Sequence, residues 1–140
     1  MYSFTTSQTI AGDVDRVWNV WADPDRFPAW DPREERTRLN GPFAVGSTID
    51  SKQKGNPAGT VTITAVQERR RWTASGPLPG GELVIDHTIT AAGPGRVTVT
   101  KRYDVTGPLT ALFRLYYAPK VRRAMPATFA ALETETARRG

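Results

Sequence analysis

The sequence contains no cysteine and only one histidine among its 140 residues. It can therefore form no disulfide, thiol nucleophile or cysteine-ligated zinc site, and one histidine with scattered carboxylates makes a poor metal centre. It also lacks a run of about 18 apolar residues, so we expect no transmembrane segment. The amino terminus lacks the basic and apolar regions of a secretory signal. These absences favour a cytoplasmic protein without a metal or other cofactor.

The positive charge is concentrated in the carboxyl-terminal section. The net charge is +5. From Lys101 onward the sequence contains eight basic and three acidic residues, and the part before Lys101 contains eleven of each sign. A nucleic-acid or anionic membrane surface is one interpretation. No nucleic-acid motif accompanies the charge, so we favour a solvated helix face with a basic end and expect no nucleic-acid partner. The length fits one domain over residues 1–140, as a monomer or homodimer.

Residues 10–32 carry the most informative local pattern. Apolar residues at helical spacing follow Asp13, a plausible N-cap, and predict a short helix that ends at Asp23-Pro24. A second helical piece of about two turns should follow, since prolines at its start and end confine it. The alternating segment from Tyr2 to Ile10 before this helix pair predicts a first strand.

Beyond Pro32 the pattern alternates and then returns to helical spacing. The alternation predicts six strands, whose short connecting turns require antiparallel pairing. The expected strands are 33–39, 47–54, 60–67, 69–75, 83–89 and 97–103, with a turn over 76–81. After Gly107-Pro108 an apolar stripe predicts a long final helix, with Pro119 starting a fresh segment and Pro126 bending it. A sheet with one apolar face is best satisfied when it curls around such a helix, which makes the fold class α+β.

Several motifs in this order resemble the START-like, helix-grip superfamily, which includes the polyketide cyclase/dehydrase and lipid-transport group. They are Asp15-Arg16-Val17-Trp18, Asp23-Pro24, Phe27-Pro28-Ala29-Trp30-Asp31-Pro32, Gly46, Val66-Gln67-Glu68-Arg69-Arg70-Arg71-Trp72, His87 and Gly95-Arg96-Val97-Thr98-Val99-Thr100. The resemblance implies a seven-stranded antiparallel sheet wrapped around a long C-terminal helix, with two short helices between strands 1 and 2. It also implies a pocket between sheet and helix, with Trp30 at one rim. It implies no particular function, since such folds hold very different apolar molecules.

His87 and Tyr103 are the candidates for proton transfer. The alternation of its strand places His87 on the concave, apolar face, where a neutral imidazole could bind a ligand oxygen or act as a general base. The more common alternative is a core histidine that hydrogen-bonds a neighbour. Lys101 shares this predicted face, and we expect a β-bulge or snorkelling to turn its amine to solvent rather than to a ligand.

The aromatic residues have two interpretations, as pocket wall or as packing. We expect Trp18 and Trp21 to pack in the core, and we weigh Trp30 equally as ligand contact and as packing. Tyr116 and Tyr117 cannot both point inward, because adjacent helical residues diverge by about 100°. The full set of expected ligand-binding residues is Trp30, Ile49, Gln53, Ile63, Trp72, Ile85, His87, Val99, Tyr103, Phe113, Tyr116, Tyr117, Met125 and Phe129.

Three functions are compatible with these features. The first is a protein that binds a small, largely apolar or aromatic molecule between the sheet and the final helix. The second is a polyketide cyclase/aromatase-like enzyme that acts on a poly-carbonyl or aromatic substrate. The third is a regulator or client-binding protein, for which we expect a shallow or filled cavity and an exposed apolar patch.

Overall fold

The sheet is the scaffold of the fold, which a computed structural model describes over residues 1–139. Its seven strands are all antiparallel and lie in the order β1-β7-β6-β5-β4-β3-β2. Their bounds are β1 Tyr2–Ala11, β2 Glu34–Asn40, β3 Thr48–Gln53, β4 Gly59–Gln67, β5 Arg71–Leu78, β6 Gly81–Ala91 and β7 Arg96–Thr106. The expected helix-grip architecture with seven antiparallel strands is confirmed.

Two short helices and a turn connect β1 to β2. Helix α1 spans Val14–Trp21, a 3₁₀ turn spans Pro24–Arg26, and helix α2 spans Phe27–Trp30. The Asp13 carboxylate caps α1 as predicted, because its Oδ1 accepts a hydrogen bond of 2.8 Å from the Arg16 amide. The helix ends at Trp21, just before the Asp23-Pro24 pair that disfavours helical backbone.

The final helical segment contains three parts. Helix α3 spans Thr110–Leu112, a π-helical turn spans Phe113–Tyr117, and helix α4 spans Ala118–Arg139. Ala118 has helical dihedral angles, so α4 follows the π turn without a break and begins one residue before the expected start at Pro119. Pro126 lies inside α4, as predicted. No helix within residues 1–139 is long and apolar enough to cross a membrane.

The core fills the space between the concave face of the sheet and α1 and α4. Trp18 and Trp21 of α1 are buried in it, as expected for packing residues. The Thr128 hydroxyl of α4 donates a hydrogen bond of 3.1 Å to the Asp31 carboxylate at the end of α2. This bond fixes the long helix against the helix pair, beside the site described below.

Strand β5 extends further than the sequence indicated. Its last residues, Gly76–Leu78, pair with β6, although glycine and proline favoured a turn over residues 76–81. The turn is therefore confined to Pro79 and Gly80. Pro77 has no backbone N–H and cannot donate a hydrogen bond to the neighbouring strand. It is tolerated here because it lies opposite Glu82 near the end of the hairpin, where not every residue has to donate one.

Candidate functional site

Two adjoining cavities lie between the concave face of the sheet and the helices. The inner chamber has a volume of about 100 Å³ and is bordered by α1, α2 and strands β2 to β7. The outer chamber has a volume of about 660 Å³ and lies between β3 to β6 and the segment from Leu109 to Lys120. Both chambers include Ser51, Gln53 and Ile85 in their walls. A molecule in the outer chamber can therefore extend toward the inner one.

The polar face of the inner chamber follows one row of residues across the sheet. Trp72 of β5 pairs with His87 of β6, and His87 pairs with Lys101 of β7. On its other side, Lys101 pairs with Thr6 of β1. Directly paired residues place their side chains on the same face of a sheet. The strand register therefore brings an indole, an imidazole and an amine next to one another.

His87 is held by aromatic neighbours and a backbone carbonyl. Its ring stacks on Trp72 with centroids 3.8 Å apart and planes 4° apart, and it meets the Trp21 ring edge-on. Its Nδ1 donates a hydrogen bond of 3.2 Å to the Trp72 carbonyl, since a carbonyl can only accept. Burial and then the nearby Lys101 charge hold the pKa of His87 well below its ordinary value. The imidazole is therefore neutral, with Nε2 as an acceptor, and the hydrogen-bonded core histidine weighed above is present.

Lys101 corrects the expectation of a bulge. The pairing of β7 with both neighbouring strands runs without a register shift through Lys101, so its side chain stays on the concave face and lines the inner chamber. Burial lowers the pKa of the amine; Asp31 and Glu34 oppose that shift. No carboxylate within residues 1–139 forms an ion pair within 4.0 Å of this amine. The amine is therefore enclosed but not held by a direct ion pair.

Two carboxyl groups face this amine from the α2 to β2 connection. Asp31 Oδ1 accepts hydrogen bonds from the Arg33 amide at 3.0 Å and from Thr128. Glu34 accepts hydrogen bonds from Gln53 at 3.1 Å and from Ser51 at 3.2 Å. Burial raises the pKa of Glu34, although these two bonds partly counter it. Asp31 thus forms structural bonds to Arg33 and Thr128, whereas the raised pKa of Glu34 favours the protonated form of its carboxyl group.

A tyrosine pair stands beside the Arg33 guanidinium, where the two chambers meet. The Tyr103 ring stacks on Phe4 at 4.6 Å and meets the Tyr117 ring edge-on at 6.5 Å. Burial raises the pKa of both phenols, so they remain protonated hydrogen-bond donors at neutral pH. Tyr116 lies at the rim of the outer chamber and is 69% exposed, in agreement with the predicted divergence of the adjacent tyrosines.

Three buried donors near this site have no hydrogen-bond partner among the described residues. They are the indole N–H groups of Trp30 and Trp72 and the hydroxyl of Thr6. Both tryptophans line the inner chamber. A buried donor without an acceptor costs about 1–3 kcal/mol, so an oxygen atom placed against these indoles would be stabilising. An oxygen-bearing group that reached either N–H from the chamber would satisfy a donor that has no partner in the described chain.

The structure divides the expected ligand-binding residues into three groups. The inner chamber is lined by Trp30, Ile49, Gln53, Trp72, Ile85, His87 and Tyr103. The outer chamber is lined by Gln53, Ile85, Phe113, Tyr116 and Tyr117. The remaining four, Ile63, Val99, Met125 and Phe129, are buried in the core and line neither chamber.

Sequence reasoning missed the acidic side of the inner chamber. Asp31 lies in a turn, and Glu34 begins a charged strand that has the composition of a solvent-exposed edge. A register shift between Glu34 and Arg36 changes which side chains face inward. No sequence signal marks that shift. Within residues 1–139 no three His, Asp or Glu side chains come together as a metal site would require.

The sequence matches a family model, and the fold is similar to several solved structures. A family model described as "Polyketide cyclase / dehydrase and lipid transport" matches residues 1–136. No curated protein matches the sequence. A START superfamily protein from Mycobacterium smegmatis is similar in structure, with a TM-score of 0.76, 11% identity and full coverage of both chains. A protein from Mesorhizobium loti gives a TM-score of 0.75 at 14% identity, covering 98% of each chain.

An enzyme complex is also among the similar structures. Norcoclaurine synthase from Thalictrum flavum, in complex with dopamine and hydroxybenzaldehyde, has a TM-score of 0.71 and 12% identity. The match covers 99% of this chain and 88% of the synthase. At these identities the structural likeness establishes a shared fold and no shared activity.

Proposed function

Because the chain belongs to the polyketide cyclase/dehydrase and lipid transport family, we propose that it binds a small, largely apolar molecule with an oxygen-bearing end. The apolar body occupies the outer chamber, and the oxygen enters the inner chamber. One observation carries this proposal: a large apolar chamber adjoins a small one whose wall includes two tryptophans with unpaired indole N–H groups. As part of the same proposal, the protein acts in the cytoplasm without a nucleic-acid partner.

The outer chamber fits the apolar part of such a ligand. Its volume of about 660 Å³ falls within the roughly 300–1,000 Å³ range of ordinary ligand sites. Most of its wall is aliphatic or aromatic, with side chains contributed by β5, β6 and the π turn: Leu78, Leu83, Ile85, Leu112 and Phe113. Burying a ring or an alkyl chain there removes apolar surface from water, which supplies the main driving force for binding.

The inner chamber fits the oxygen-bearing end. The indoles of Trp30 and Trp72 are donors without acceptors, and the protonated phenol of Tyr103 adds a third donor to the wall. A carbonyl or hydroxyl oxygen can accept from them, whereas a hydrocarbon cannot. We therefore expect preference for an oxygenated ligand over its hydrocarbon analogue.

A matched ligand series tests this proposal. Naphthalene and 2-naphthalenemethanol share one ring system and differ in the hydroxymethyl group, and isothermal titration calorimetry compares their affinities. We expect the alcohol to bind about tenfold more tightly, since one recovered hydrogen bond contributes about 1.4 kcal/mol. In Trp30→Phe, which keeps an aromatic ring but removes the donor, this advantage should shrink.

A tryptophan outside both chambers provides the control. Trp18→Phe makes the same chemical change in the core, against Phe43, and should leave the preference for the alcohol intact. Native mass spectrometry of freshly purified protein, before and after denaturation, would identify a ligand retained from the cell. Equal affinity for both naphthalenes, or none for either, would contradict the proposal.

A second candidate function is a polyketide cyclase/aromatase-like reaction on a poly-carbonyl substrate. The observation that favours it is the enclosed group of proton donors and acceptors formed by Glu34, His87 and Lys101 in one chamber. Such groups can move protons during an aldol-type ring closure. A poly-β-ketone thioester that gains aromatic absorbance with the protein, and does so more slowly with His87→Ala, would support this function. Unchanged turnover in that variant would remove His87 from the mechanism.

The regulator hypothesis has less support. An exposed apolar patch is present at Leu112, Leu115 and Tyr116, as that hypothesis requires. However, the outer chamber beside the patch is not filled by side chains, because it keeps an open volume of about 660 Å³. Open space of this size favours a small molecule over a protein client.

A further inference from the structure

We infer that Lys101 is a carbonyl-binding site: its amine forms a reversible imine with an aldehyde delivered to the inner chamber through the outer one. The inference rests on the proposed function, because the aldehyde must first bind with its apolar body in the outer chamber. It names the ligand class as apolar or aromatic aldehydes.

The position of the Lys101 amine is the first support. The lysine lies on the concave face, between His87 and Thr6 in the same row of the sheet, and its side chain lines the inner chamber. No carboxylate of the described chain lies within ion-pair distance of the amine. A lysine in such a setting is free to act as a nucleophile.

The protonation state of the amine is the second support. Only the unprotonated amine attacks a carbonyl carbon, and burial shifts Lys101 toward that form by lowering its pKa. The Arg33 charge adds to this shift, whereas Asp31 and Glu34 oppose it without reversing it. His87 next to it is neutral and adds no positive charge of its own. Asp31 and Glu34 nearby would compensate the cation that an imine carries when protonated.

The chemistry balances with groups present in the chamber. The amine nitrogen attacks the carbonyl carbon, and one amine proton passes to the carbonyl oxygen, which gives a carbinolamine. The carboxyl group of Glu34 then protonates the hydroxyl, which leaves as water while the nitrogen lone pair forms the C=N bond. The products are a protonated imine, one water molecule and the Glu34 carboxylate, with no change in oxidation state.

The size of the chamber limits which part of the ligand reaches Lys101. A volume of about 100 Å³ admits a formyl group but leaves little room for a ring. The ring therefore stays in the outer chamber, where the shared walls at Gln53 and Ile85 direct its substituent inward. Trp30 and Trp72 supply donors for the oxygen before the addition.

Reductive trapping tests the inference directly. The intact protein is incubated at neutral pH with 2-naphthaldehyde and sodium cyanoborohydride, which fixes an imine as a stable amine. Peptide mass mapping then reports labelling at each of the four lysines, Lys52, Lys54, Lys101 and Lys120. We expect Lys101 to be labelled about tenfold faster than each of the others at neutral pH, and this preference to shrink as the pH rises toward about 10.4, where ordinary lysines also lose their protons. Lys101→Met should abolish the fast labelling, and Lys54→Met should not.

Wild-type protein alone also decides the question if Lys101→Met fails to fold. Urea should abolish the preference for Lys101, because the chamber no longer exists in the unfolded chain. Labelling of Lys101 at or below the rate of the other lysines in the folded protein would overturn the inference. Glu34→Gln should slow the fast labelling, since it removes the proton donor for loss of water.

Binding of 2-naphthalenemethanol, measured separately, distinguishes failure of this inference from failure of the proposed function. If 2-naphthalenemethanol binds while the aldehyde leaves Lys101 unlabelled, the imine is excluded and the ligand site stands. If the alcohol does not bind and Lys101 is not labelled, both are overturned. Fast labelling of Lys101 that excess alcohol slows supports both.

Discussion

At the scale of single residues, His87 shows how burial changes the behaviour of a titratable group. Its imidazole is enclosed by two tryptophan rings and bonded to a backbone carbonyl. Burial and the charge of Lys101 disfavour its protonated form. In the unfolded chain the same histidine takes up a proton near pH 6.5. The folded protein must therefore lose stability as the pH falls below that value.

This difference predicts a pH-dependent effect of His87→Phe. The folded-state pKa is lowered, so the histidine's share of stability is complete above about pH 6.5 and declines by up to about 1.4 kcal/mol per pH unit below it. The phenylalanine variant keeps the stacking but does not titrate. Urea unfolding at pH 7.5, 6.5 and 5.5 should show the free energy of unfolding of wild type falling relative to that of the variant as the pH falls. Parallel stability curves would contradict the expectation.

The same residues show how far sequence patterns reach. Alternation along β6 was sufficient to place His87 on the concave face, because side chains in a regular strand alternate. The same rule placed Lys101 there, yet an apolar wall made a lysine implausible, and a bulge was expected instead. The opposing Asp31 and Glu34 became visible only in three dimensions. Pairing between distant segments determines the charge environment of a site, and it has no local signature.

At the scale of elements, α4 is attached to the helix pair and the loop between its helices at two points, its middle and its carboxyl end. Thr128 bonds Asp31, and near the carboxyl terminus Glu135 bonds Arg138 and Arg139 at 2.6 to 2.7 Å. Arg139 also reaches the Asp23 carboxylate at 3.4 Å, in the loop after α1. This ion network connects the last turn of α4 to the loop after α1. Its loss should therefore weaken the packing of α4 against α1.

We expect Glu135→Gln to destabilise the protein by about 1–3 kcal/mol at pH 7, because it weakens charged hydrogen bonds of a buried carboxylate. The bonds to Arg138 lower the pKa of Glu135 to about 2. Since this folded-state pKa is depressed, the carboxylate's share of stability is present above about pH 4.5 and is lost as the pH falls through about 2. Urea unfolding between pH 7 and pH 3 should show the variant approaching wild type at the acid end. Glu68→Gln, on the exposed β4–β5 turn, should stay within about 0.5 kcal/mol of wild type.

The junction between the β5–β6 hairpin and the end of β7 depends on a close backbone approach. A methyl group on Gly81 would overlap the backbone carbonyl of Thr106, and Gly107 lies against the same hairpin. Gly81→Ala should therefore cost about 3 kcal/mol or more, measured by thermal and urea unfolding. Gly59→Ala is the matched control at a strand start, where an added methyl meets open space. Similar stabilities for the two variants would show that the junction relaxes easily.

The elements themselves were largely predictable, and the exceptions have local causes. Strand and helix positions followed from periodicity, and the Asp13 cap from its side-chain chemistry. The extension of β5 through Pro77 was missed because pairing with β6 overrides the turn preference of Gly76 and Pro77. The π turn at residues 113–117 was missed because its sequence has ordinary helical spacing.

At the scale of the whole molecule, neighbouring strands of the sheet differ in how many residues they pair. Strand β7 pairs with β6 continuously from Val97 to Thr106, whereas β3 pairs with β4 only over Thr48–Ser51. The segment 53–59, which follows that short pairing, borders the outer chamber. The strand pair with the fewest paired residues therefore lies beside the outer chamber, where local opening is easiest.

Hydrogen–deuterium exchange should detect this asymmetry. We expect amides in residues 53–59 to exchange fastest within the region bounded by β3 and β7, and amides in the centre of β6 and β7 slowest. Saturating 2-naphthalenemethanol should slow exchange in residues 53–59 and leave β1 unchanged, because only the former border the outer chamber. Uniform slowing across all strands would indicate general stabilisation without a defined site.

The π turn has a consequence for how this protein could change. A π turn holds one residue more than an α-helical turn, so deleting one residue there would restore ordinary helix and rotate the preceding α3 by about 100°. New side chains would then face the outer chamber, while α4 and the inner chamber kept their places. A single three-nucleotide deletion in the coding sequence is thus a short mutational route to a different ligand, without repacking of the core.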